Sequence, residues 1–159
     1  MNPNPDHLPQ ALPAPPAPQT PATRVARFFE TLTPASLNRL ETIYTPLAYF
    51  KDPFNEVRGQ ADIKQIFSHM YASLEQPRFV VTGCIAEGDQ CFLSWNFEFY
   101  FKNFDRAVLQ TVRGGSHLKF DADGRVDSHR DYWDAAEELY EKLPVVGGLM
   151  RWLKRRALR

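Results

Sequence analysis

From Phe79 to Trp133 the chain is a run of strand-length segments separated by short turn clusters, and this run limits the fold more than any other feature. Phe79–Ala86, Cys91–Phe101, Ala107–Phe120 and Arg125–Trp133 are rich in aromatic and β-branched residues. Between them lie Gly88-Asp89, Asn103-Phe104-Asp105 and Asp121-Ala122-Asp123-Gly124, which are turn formers. Strands joined by such short connections pair antiparallel, as a meander. A four-stranded meander has one apolar face to cover, and the chain upstream must supply the cover.

That upstream segment is helical in pattern. Val25, Phe28, Phe29 and Leu32 recur at helical spacing from about Arg24, and Thr33-Pro34 restarts the chain as an N-cap followed by proline. A second short helix turns Leu37, Leu40, Ile43 and Tyr44 inward. From Gln60 to Leu74 the set Ile63, Ile66, Phe67, Met70, Tyr71 and Leu74 marks a third helix. Between helices two and three, Asp52-Pro53 breaks a strand-like stretch into a hairpin. The expected fold is α+β: a curved antiparallel sheet with three N-terminal helices on its concave face, forming a cone with an internal pocket. Twelve Phe, six Tyr and three Trp suit a lined cavity of that kind.

Residues 1–22 hold eight of the thirteen prolines and little apolar surface, which predicts a disordered leader. The domain is expected over 23–142. Residues 143–159 read as an amphipathic helix whose polar side carries Arg151, Lys154, Arg155, Arg156 and Arg159. Such a helix over 144–159 either lies on an anionic membrane surface or closes over the domain or a partner subunit. The formal net charge of zero gives no electrostatic case for nucleic acid. Cys84 and Cys91 read as reduced core residues of a cytoplasmic protein, and no apolar run approaches the roughly 18 residues of a membrane span. Neither a cofactor nor a metal is expected; the expected partners are a small apolar ligand and a second copy of the chain.

On the last strand Asp127, His129, Asp131 and Trp133 share one face. Either this face is a polar outer surface, or His129 and Asp131 pair inside the pocket, where His129 can shuttle protons near neutral pH. Trp133 favours burial of that face. Asp52 either closes its turn or presents a carboxylate at the mouth of the pocket.

Tyr49-Phe50-Lys51-Asp52-Pro53-Phe54-Asn55-Glu56-Val57-Arg58-Gly59, followed by the helix from Gln60, resembles the first hairpin of ketosteroid isomerases, limonene epoxide hydrolases and SnoaL-like polyketide cyclases. These proteins form one broad superfamily, the nuclear transport factor two-like fold. The isomerase base is an Asp directly before Pro, which the resemblance places at Asp52. Its two oxyanion donors fall at Phe28, which has no donor, and at Ser116, which has a hydroxyl. His129-Arg130-Asp131-Tyr132-Trp133-Asp134 resembles the last strand of the epoxide hydrolases, where Asp131 matches an Asp that activates water and Tyr49 a Tyr that positions it. Lys51 stands where the hydrolases have Asn, and Trp95 to Glu98 holds no Arg. The two resemblances need opposite strand registers, and we expect Phe50 and Asp52 inward with Lys51 in solvent. The implied catalytic residues are Asp52, His129 and Asp131, with Phe28, Tyr49, Phe50, Trp95, Ser116 and Trp133 against the ligand. Two functions follow: an isomerase, cyclase or hydrolase acting by general acid/base catalysis on a lipid-, steroid- or polyketide-like compound, or a non-catalytic binding or dimerisation module.

Overall fold

The computed structural model describes residues 19–103, 106–138, Trp152 and Arg156. The expectations for the leader up to residue 18 and for the basic helix over 144–159 lie outside the described residues, apart from the stacking of Arg156 on Trp152. No helix among the described residues is long and apolar enough to cross a membrane.

Helix α1 spans Pro21–Glu30, a 3₁₀ helix Pro34–Arg39, α2 Leu40–Ile43, β1 Tyr44–Lys51, β2 Glu56–Arg58, α3 Gln60–Ser73, β3 Leu74–Glu87, β4 Gln90–Phe101, β5 Gln110–Phe120, β6 Val126–Tyr132 and α4 Ala135–Glu138. The first helix starts ahead of the boundary at residue 23, because Thr20 caps the Thr23 amide and Pro21 opens the helix. Thr33 and Ser36 form a reciprocal capping box at the second helix, most of which is 3₁₀. Asp134 caps α4 by accepting from the amides of Ala136 and Glu137.

The six strands form one sheet in the order β2-β1-β6-β5-β4-β3. The meander β3 to β6 is antiparallel as expected. The sheet as a whole is mixed, because β1 pairs parallel with β6. Those two strands are separated by α3 and four other strands, so no hairpin forces them antiparallel. The sheet is curved and unclosed, with the helices on its concave side, and α1 packs chiefly against β3. A bulge between the β5–β6 pairs Lys119–Ser128 and Phe120–Val126 also alters the expected face of β6. Val126 is buried, while Asp127 swings out and accepts a hydrogen bond from Thr45 Oγ1 at 2.9 Å. From His129 onward the expected alternation holds.

Helix α3 divides its apolar stripe. Ile63 and Phe67 enter the core, whereas Ile66 and Met70 face a hollow between the helix and the sheet. Gly59, at φ 101°, starts α3 in a backbone conformation that few other residues tolerate. Gly114 serves packing instead: a Cβ there would stand 2.4 Å from the outer edge of the Trp95 ring. That ring is buried and tied by its Nε1 to Ser116 Oγ at 2.8 Å, so it cannot swing aside freely. Gly114→Ala is expected to destabilise the domain by about 1–3 kcal/mol, as overpacking does, read from the urea midpoint.

Candidate functional site

The hollow is a cavity of about 740 Å³ bounded by α3, the β1–β2 hairpin, the concave faces of β3, β4 and β5, and the end of β6. Among the described residues nine Phe and Trp rings line it, including Phe50, Trp95, Phe97, Phe99 and Trp133. Its size and lining suit a small, mostly apolar molecule. Three carboxylates, Asp52, Asp62 and Asp131, also face it.

Register brings the polar groups together. Phe50 is the parallel partner of His129 and Lys51 that of Arg130, so Asp52 lies one step past the last registered pair, beside Asp131. Ser116 is the antiparallel partner of Asp131, and Leu118 that of His129. One face of β5 and β6 therefore carries Ser116, His129 and Asp131 toward the cavity side.

These residues form a directed hydrogen-bond relay. His129, 2% exposed, has Nε2 2.8 Å from Asp131 Oδ1 and Nδ1 2.6 Å from the Tyr44 hydroxyl. A carboxylate only accepts, so the hydrogen on Nε2 donates to Asp131. Burial, and next the charge of Asp131, push the Tyr44 phenol well above its ordinary range. Tyr44 thus keeps its proton, and its hydroxyl bonded to Nδ1 holds the imidazole ring between the phenol and Asp131. From the other side Ser116 Oγ donates to the same Asp131 Oδ1 at 2.5 Å and accepts from Trp95 Nε1 at 2.8 Å. Two direct donors, each backed by another, converge on Oδ1. Oδ2 accepts no hydrogen bond from the described residues, and Asp131 is one of the residues that line the cavity.

Asp52 is held differently. Its Oδ1 accepts from the amides of Phe54 and Asn55 at 2.7 and 2.6 Å, and Asn55 Nδ2 reaches both of its oxygens. The carboxylate closes the hairpin turn and lines the cavity at once.

The expected site residues separate accordingly. Phe50, Asp52, Trp95, Asp131 and Trp133 line the cavity; His129 and Ser116 stand behind Asp131 and act through it. Phe28 and Tyr49 do not belong to the site. Phe28 is buried edge-to-face on Phe29, and Tyr49 points away because Phe50 takes the inward position; its hydroxyl donates to Glu56 at 2.8 Å. Lys51 also turns outward, to an ion pair with Glu56. The sequence reading assigned Tyr44 to the core without its role on His129. It also missed Asn55, whose place three residues after Asp52 is the available signal for a side-chain-closed turn.

Neither cysteine lines the cavity, and of the two expected in the core only Cys91 is buried, whereas Cys84 is exposed. Burial foremost, and then neighbouring Cys84, push the Cys91 thiol up to about 12. Among the described residues no three His, Cys, Asp or Glu side chains are grouped to hold a metal ion.

A curved sheet with helices on its concave face and a cavity between them defines the nuclear transport factor two-like, ketosteroid isomerase-like class of α+β cone. Within that class the chain belongs to the SnoaL-like domain family, whose model matches residues 25–129. Similar solved structures include a hypothetical protein with a ketosteroid isomerase-like fold from Catenulispora acidiphila, solved in complex with trimethylamine. It is 18% identical with TM-score 0.64, and the match covers 76% of this chain and 92% of that one. An NTF2-like protein of unknown function from Burkholderia pseudomallei is 15% identical with TM-score 0.64, over 75% and 95% of the two chains. An LEH-like epoxide hydrolase from M. tuberculosis is 15% identical with TM-score 0.62, over 87% and 95%. At these identities the likeness is one of fold. No curated protein matches the sequence.

Proposed function

We propose that the chain is an acid/base enzyme of the isomerase, cyclase or hydrolase type, acting on a small and largely apolar molecule held in the cavity. The observation that carries this reading is the relay ending on Asp131, a carboxylate that lines the aromatic hollow and whose Oδ2 accepts no hydrogen bond from the described residues. Such an oxygen can take a proton from a carbon acid or from a water, while His129 and Ser116 hold the other oxygen in place. The residues that match the family's catalytic positions narrow the roles: Asp131 is the base, His129 and Ser116 are positioning residues, and Asp52 is a fixed anion more than a mobile proton acceptor. The test is a panel of β,γ-unsaturated ketones and small epoxides, followed by enone absorbance and by diol formation. Turnover by the native chain that Asp131→Asn abolishes supports the reading; binding of panel members with no turnover supports a carrier, which the tied-down Asp52 carboxylate also fits.

We further propose that a second copy covers the convex sheet face. Ile85 and Phe92 are cross-strand partners there, 76% and 41% exposed, and Phe92 leans over Gly115 toward Tyr132 at 48%. This row spans four strands and is the kind of apolar patch that marks an interface. Light scattering on the eluting protein is expected to give a dimer for the native chain and a monomer for Phe92→Glu; a monomer for both contradicts the proposal.

A further inference from the structure

The carboxylates inside the cavity face no lysine or arginine among the described residues. Asp52, Asp62 and Asp131 face the hollow, and the described residues that line it include no Lys or Arg. The groups closest to a counter-charge are two histidines: His69, exposed on α3 and bonded to Ser73, lines the cavity, and His129 stands behind Asp131 with its Nε2 already bonded to Oδ1. Asp52 is satisfied by backbone amides and Asn55, which stabilise its charge without cancelling it. Elsewhere the molecule does pair its carboxylates with cations: Glu56 meets Lys51, Glu98 meets Arg78 and Asp121 meets Arg125. The remaining walls are mostly aromatic, and a ring that turns its face to a cation offers it the negative lobe of the ring quadrupole. A hollow lined by aromatic rings and by carboxylates with no lysine or arginine among the described lining attracts a cation more than a neutral molecule of the same shape.

We propose that the cavity selects molecules in which an apolar body carries a cationic nitrogen, either quaternary or a protonated amine. The inference rests on the reading of this cavity as the functional site and names the class of its ligand. The cation sits against Asp52, whose oxygens are fixed by the turn, and the apolar body extends along α3 over Ile66 and Met70. Asp131 Oδ2 then remains free for the proton.

The probes are choline and its neutral isostere 3,3-dimethylbutan-1-ol, which differ only in a nitrogen cation replaced by carbon. Binding to the full chain is read from tryptophan fluorescence and from the indole N–H signals, with 1-tetralone as an apolar control. Choline is expected to bind at least about tenfold more tightly than the alcohol, and Asp52→Asn to erase most of that ratio while 1-tetralone still binds. The Asn keeps an oxygen for the turn amides, and Asp62→Asn, at an exposed helix position, gives a second variant that does not touch the hairpin. Equal binding of the two probes, or tighter binding of the alcohol, overturns the cation preference while the apolar cavity stands. Failure of both probes with 1-tetralone still bound also overturns it. Failure of all three compounds removes the functional reading of the cavity as well.

Discussion

Replacing Asp131 with Asn is expected to lower kcat/KM for any panel substrate by about 10²–10⁴-fold, the range that removal of a general base produces. The change is nearly isosteric. Its amide oxygen can still accept from His129 Nε2 and Ser116 Oγ, which lie 2.8 and 2.5 Å from Oδ1 in the native chain. What it loses is Oδ2, which becomes an NH₂ group that donates and cannot take a proton. The fall should therefore appear in kcat, with KM and the thermal midpoint little altered. His129→Gln supplies the comparison: it leaves Asp131 in the cavity and removes a positioning residue, so its loss should be smaller and accompanied by a displaced pH profile. If Asp131→Asn turns over at the native rate, the base is another group.

The largest effect on stability is expected at Phe50. This ring is 2% exposed, packs edge-to-face on the His129 imidazole at 4.8 Å between centroids, and touches Phe67 at 6.0 Å. Its strand is bonded to β2 on one side and β6 on the other, which leaves little freedom to collapse into a gap. Phe50→Ala should cost about 3–5 kcal/mol, the usual loss for a buried Phe. Urea unfolding measures it, and the same variant should loosen the imidazole it wedges against. Phe54→Ala, at a half-exposed ring packed on Trp133, is the contrast and should cost far less.

Both predictions depend on features with unequal traces in the sequence. The meander and α3 were legible because their periodicities run for many residues: the stripe from Ile63 to Leu74 and the strands from Phe79 onward each fit one template. The inward turn of Phe50 was legible for a similar reason, since burying Lys51 in its place would have required a partner in the core. The parallel pairing of β1 with β6 was not, because strands so distant in sequence leave no local mark of which edge they join. The outward swing of Asp127 was hidden too, as a one-residue bulge does not disturb the alternation on either side of it.

In the site, the sequence located the groups better than it apportioned their work. His129, Asp131 and Trp133 share a face by alternation alone, but which of them meets the cavity depends on depth along the cone, a tertiary property. Tyr44 shows the same limit. Its inward position followed from pattern, whereas its bond to His129 depends on the register shift between Tyr44 and Tyr49 in the pairing with β6. Asp52 satisfied both of its open readings, turn and cavity wall, because the turn it closes lies at the edge of the hollow.

The account stands on a small molecule entering the aromatic cavity beside Asp131. The chain has three tryptophans, and two of them, Trp95 and Trp133, line that cavity while Trp152 does not. A ¹⁵N-labelled sample therefore reports on the site through three indole signals. Titration with 1-tetralone is predicted to shift the Trp95 and Trp133 signals together and saturably, to leave Trp152 in place, and to lose the effect when the cavity is filled by Met70→Trp. Movement of Trp152 alone, or no saturable shift of either cavity tryptophan, would contradict it.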